Sequence, residues 1–184
     1  MSEANKRYKS KYEAYPFLSD QSDDLRCDFE IATDGFASET GLLSAILRKL
    51  GGPERAALAA ELDKTAELVY HANPALRTFF SVKDEEIQWL MERATELYDL
   101  TGGRQESLFQ VPCGSEEACR AHILRSKAKG LVRLAYCAQE RGATVPEALY
   151  DFLNLLSGYF YRLALFLNKL ADVAEIPYIS RNYK

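Results

Sequence analysis

Several things are scarce in this 184-residue chain, and each scarcity closes off a class of function. The four cysteines (Cys27, Cys113, Cys119, Cys137) show no C-x-x-C pairing, which supports neither a zinc site nor a disulfide framework. The two histidines, His71 and His122, stand alone without Glu-x-x-His or His-Glu-x-x-His spacing. They read as surface or bundle-packing residues, and no metal site is expected. Basic charge is not in excess: the formal net charge of −4 argues against general nucleic-acid binding. The N-terminus has no apolar core of a signal peptide. The most hydrophobic stretch, Phe152 to Leu167, is interrupted by Asn154, Gly158 and Arg162 and falls short of the roughly 18 apolar residues that a membrane span needs. A cytoplasmic protein with no membrane partner is the expectation. Period-2 alternation, internal repeats and low-complexity segments are also missing, so no strand is predicted.

What is present is ordinary for one globular domain: 47% hydrophobic and 27% charged residues, enough to bury a core. Glycine and proline divide the rest into helices. A polar, tyrosine-rich arm (1–27) contains the basic run Lys6 to Lys11. A first helix is predicted from about Phe29 to Leu50, stopped by Gly51-Gly52, and a second from Pro53 to about His71. Asn73-Pro74 ends that one. A third runs from about Lys83, capped by Ser81 with Asp84, to Leu100, closed by Gly102-Gly103. Ser115 is a good N-cap for a fourth reaching Arg141-Gly142, and Thr144 with Glu147 makes a capping box for a fifth that ends before Pro177. The prediction is an all-α, up-and-down five-helix bundle over 28–176, with a tail at 177–184. That tail reads either as a free end or as a lid.

Two helices carry candidate chemistry. In the fourth, Ala121, Leu124, Ala128, Leu131 and Ala135 form a core stripe bordered by Arg125. Arg125, Lys129 and Arg133 recur every four residues and share a face over about 12 Å. Read alone, they form a solvated basic face, or a polyphosphate site if another subunit closes over it. The fifth helix is apolar nearly all round from Phe152 to Leu167, which favours an oligomer interface or a central helix in a monomer. On it Asn154, Gly158 and Arg162 form a narrow polar line. A buried Asn there needs partners, whereas a Gly permits close approach.

The loop before the fourth helix, Phe109-Gln-Val-Pro-Cys-Gly-Ser115, carries a resemblance. It is similar to the Phe-x-x-Pro-Gly-Gly-Ser/Thr loop of the trimeric, PduO-type ATP:cob(I)alamin (corrinoid) adenosyltransferases. Continuing without a gap, Arg125-Ser126 falls on that family's Arg-Thr, Lys129 on the first Arg of Arg-Arg-Ala-Glu-Arg, and Arg133 on the last. Phe152-Leu153-Asn154 matches the start of its Tyr-Leu-Asn-Arg-Leu-Ser-Asp motif. More weakly, Gly35 to Glu39 resembles its Gly-x-x-Asp-Glu.

The resemblance implies transfer of the 5′-deoxyadenosyl group of ATP, with Mg2+, to cob(I)alamin by a homotrimer. It places Phe109 against the lower face of the corrinoid and makes Arg125 the catalytic-site residue that pairs with an acid across a subunit interface. Lys129 would contact ATP phosphates, and Arg133 and Asn154 would support the nucleotide. The alternative is a non-catalytic trimeric corrinoid carrier or regulator, because the sequence departs from the family at the ATP side. No N-terminal Thr-Gly-Asp-x-Gly loop precedes Gly35, leaving only the Lys6–Lys11 arm as a substitute phosphate clamp. Ser38 replaces the acid expected opposite Arg125, with Asp34 or Glu39 as the nearby substitutes, and Val132, Leu155, Gly158 and Leu165 stand where the family has charges. A plain helical interaction module is the third reading.

Overall fold

The apolar spacings close into five helices in a computed structural model, which describes residues 8–103 and 110–182. They are α1 (Arg26–Leu50), α2 (Pro53–Ala72), α3 (Asp84–Leu100), α4 (Glu116–Glu140) and α5 (Glu147–Leu170), with one 3-10 turn at Asn73–Leu76. Among the described residues there is no strand, only an isolated antiparallel bridge between Gln110 and Pro177. The all-α expectation therefore holds. None of these helices is long and apolar enough to cross a membrane.

Gly51 and Gly52, both at positive φ, turn α1 into α2, and these two helices pack along their length. The Gly142 turn does the same between α4 and α5. α5 lies at the centre, against α4 on one side and α3 on another, while α1 joins the two hairpins by packing on α4. Phe29, Phe36, Phe152, Tyr159 and Phe160 are fully buried, and the Phe36 and Phe160 rings meet edge-on at 5.5 Å. In residues 163–168 α5 is buried on every side, as a helix without a wet face must be. Between 150 and 158 it keeps an exposed edge at Asp151, Asn154 and Gly158, so the all-round burial predicted from the sequence applies only to its C-terminal half.

Some caps differ from the sequence reading. Ser115 does cap α4, accepting the Ala118 N–H. At α3, however, the reciprocal bond comes from Glu86, whose carboxylate accepts the Lys83 N–H at 2.8 Å, while Ser81 donates instead to the His71 carbonyl. α5 begins directly after Pro146 without a side-chain cap, so the Thr144–Glu147 box does not form.

Part of the arm, around Tyr15 to Asp20, is docked on the bundle. Arg77 binds Glu30 at 2.8 Å and Asp20 at 3.2 Å, and its guanidinium stacks 3.6 Å from the Phe17 ring centroid. These partners hold the Arg77 charge firmly, raising its pKa. Tyr15, pushed up to about 12 by burial and by Glu30, packs on the same anchor. Of the basic run, Lys6 lies outside the described residues, Lys9 sits 3.6 Å from Glu13, and Lys11 lies over the Tyr12 ring.

Candidate functional site

α4 and α5 run antiparallel, and their register follows from two bonds. The Ser157 hydroxyl donates to the Arg125 carbonyl at 3.3 Å, and the Asn168 carboxamide donates to the Cys113 carbonyl at 3.0 Å. With that register Gly158 lies level with Arg125, and Asn154 level with Lys129. Arg125, Lys129 and Arg133 thus follow one another along one face of α4, with Asn154 of α5 at the height of Lys129. Phe109 lies outside the described residues.

Elsewhere on α4, Arg120 pairs with Glu116 and Lys127 with Glu39 at 2.5 Å. Arg125, Lys129 and Arg133 form no ion pair with any described residue. Both replacements considered for Arg125's acid are committed elsewhere: Glu39 to Lys127, and Asp34 to the Tyr70 hydroxyl. Arg125 is half-buried with its Nε–H unpartnered, its guanidinium 5.4 Å from the Tyr161 ring centroid. Lys129 and Arg133 are exposed. Asn154, expected to be buried, is exposed and donates to the Tyr150 carbonyl one turn back. Arg162 leaves the polar line and stacks toward Tyr98 on α3, 5.2 Å from its centroid. Gly158 leaves open space beside Arg125, with no atom near the place of a Cβ.

A second group lies at the α4 start and was not found from the sequence. His122 is 4% exposed and neither ring nitrogen has a hydrogen-bond partner among the described residues. Burial, with Arg125 nearby, lowers its pKa to about 4. Its ring packs on Tyr161, whose pKa burial raises and whose hydroxyl meets the Gln110 backbone. Asn168, 1% exposed, binds the Ser115 N–H, the Cys113 carbonyl and Glu175. An asparagine at the end of the apolar run Phe166-Leu167 was the available signal, because such a side chain must find partners.

Two clefts, of about 1480 Å³ and 340 Å³, lie away from this face. The larger runs between Ser22–Arg26, Ala75–Phe80 and the α4–α5 turn. Among the described residues no group of three or more His, Cys, Asp or Glu could hold a metal.

The family model for cobalamin adenosyltransferase matches residues 21–167. Solved structures of variants of a PduO-type ATP:corrinoid adenosyltransferase from Lactobacillus reuteri share the fold. An arginine-to-lysine variant, complexed with ATP, superposes with a TM-score of 0.71 at 22% identity, covering 85% of this chain and 88% of that one. A phenylalanine-to-alanine variant, complexed with cobalamin and ATP, gives a TM-score of 0.66 at 20% identity, covering 83% and 87%. A phenylalanine-to-histidine variant with the same two ligands gives 0.65 at 21% identity, covering 86% and 87%. No curated protein sequence matches significantly.

Proposed function

The chain belongs to the cobalamin adenosyltransferase family, and from that premise we propose that it transfers the 5′-deoxyadenosyl group of ATP to cob(I)alamin. The observation that carries this reading is Arg125, half-buried with its Nε–H unpartnered among the described residues, at the head of the row that Lys129 and Arg133 continue. Cations without a protein partner are available to an anion, and their spacing suits a triphosphate.

In the reaction, the cob(I)alamin electron pair attacks C5′ of the ribose and a Co–C bond forms. The C5′–O bond breaks, its electrons leave with the triphosphate, and cobalt passes formally from Co(I) to Co(III). Lys129 and Arg133 stabilise the charge that develops on the departing triphosphate. Asn154, level with Lys129, steadies the nucleotide, and Gly158 leaves room beside Arg125. Mg2+ arrives with ATP. Following the resemblance, we assign Phe109 to the lower face of the corrinoid, where it would keep the base off cobalt and leave bound Co(II) four-coordinate. The face is completed by a neighbouring subunit in a homotrimer, consistent with the exposed Ile31 and Leu42 of α1 and Ile123 of α4.

Two observations favour the non-catalytic corrinoid carrier. Asp34 and Glu39 are both engaged, so Arg125 finds no acid among the described residues of its own subunit, and the described arm is anchored on Arg77 rather than shaped as a phosphate loop. Product formation separates the two readings. Strongly reduced cobalamin with Mg-ATP should yield adenosylcobalamin and triphosphate, and a Lys129→Ala, Arg133→Ala double variant should lower the rate at least ~100-fold. Corrinoid binding without any product would establish the carrier.

A further inference from the structure

The segment that follows α5, here called the tail (171–182), pairs with the 110–115 loop. The Val111 N–H donates to the Ile176 carbonyl at 2.8 Å, and Gln110 bridges Pro177. Beneath that bridge sits the Asn168 carboxamide. Its Oδ1 accepts the Ser115 N–H at 2.9 Å, and its Nδ2 donates both to the Cys113 carbonyl and to Glu175 Oε1, each at 3.0 Å. One buried side chain therefore uses its acceptor and both donor directions on two separate segments. Gly114 between them has φ 118°, and a Cβ there would overlap the carboxamide itself. Glu175 is half-buried, and burial raises its pKa while the Asn168 bond opposes that. The carboxamide of Asn168 is thus the tie between loop and tail.

We propose that Asn168 is a positioning residue for the corrinoid side of the site. By clamping the 113–115 turn to residues 175–177 it makes the tail a fixed wall against the loop rather than a free end. The proposal rests on the corrinoid reading above; the clamp itself can be tested separately from it. Asn168 acts through the backbone of Cys113 and Ser115, and through Glu175, without touching the substrate.

The test combines hydrogen exchange on the full chain with optical and electron paramagnetic resonance spectra of bound cob(II)alamin. Asn168→Ala should speed exchange of the Val111 and Ser115 amides roughly tenfold or more, leave the α1–α2 amides unchanged, and weaken the four-coordinate cobalt signature. Asn168→Asp alone sets two carboxylates against each other. Asn168→Asp with Glu175→Gln restores an amide–carboxylate pair in the reverse sense and should recover both readouts in part. Unchanged Val111 and Ser115 exchange in Asn168→Ala overturns the clamp. Faster exchange with an unaltered cobalt signature overturns its positioning role. If the wild type binds no cob(II)alamin, the functional reading and the positioning role both fail, while exchange still decides whether the clamp exists.

Discussion

His122 shows at the residue scale how burial fixes a charge state. With a pKa near 4 it stays neutral in the folded protein, whereas the unfolded chain takes up a proton near pH 6.5. Between those values the unfolded state binds more protons, so stability must fall as pH falls. The loss attributable to this residue is roughly 3 kcal/mol once both titrations are complete. Urea denaturation from pH 7.5 to 4.5 should show this slope, and His122→Leu should flatten it. A slope equal in the two proteins would assign the effect to carboxylates elsewhere. The same side chain also shows what a sequence hides. The sequence reads His122 as either a surface or a bundle-packing residue; the structure buries it, and the lack of a partner for its ring nitrogens among the described residues depends on how α4 meets α5.

At the scale of elements, the pairing of Arg77 with the buried Glu30 anchors the described part of the arm. Glu30 is 4% exposed, so removing Arg77 leaves a buried carboxylate without its guanidinium. Arg77→Ala should cost about 3 kcal/mol and release residues 15–20 to limited proteolysis, while Arg77→Lys keeps the charge but loses the stack on Phe17. Resistance of the arm in Arg77→Ala would show that Tyr15 and Phe17 hold it unaided. Helix identity was legible because Gly51-Gly52, Pro53 and Ser115 act locally. The Arg125–Lys129–Arg133 face was legible for the same reason, since helical spacing alone aligns it. What could not be read were the decisions made by distant partners. The commitment of Asp34 to Tyr70 and the Asn168 tie across 53 residues to Ser115 both depend on tertiary packing. The exposure of Asn154 belongs here too: the apolar run around it continues, but α4 and α3 leave that edge of α5 uncovered.

On the whole-molecule scale, the proposed site needs more than one subunit, because Arg125, Lys129 and Arg133 find no acid among the described residues of their own chain. A homotrimer would supply the rest, and light scattering should return three times the 20.8 kDa chain mass. A monomeric mass would leave Arg125 without a neighbouring subunit and would remove the proposed closure. Corrinoid binding is the claim on which everything else rests, because both the transferase and the carrier require it. Titration of cob(II)alamin with the full chain, with and without Mg-ATP and followed by electron paramagnetic resonance, tests it directly. The account predicts a four-coordinate Co(II) signal in the wild type that Phe109→Ala abolishes. A spectrum that keeps its base-on, five-coordinate form at every protein concentration, with ATP present or absent, would contradict it.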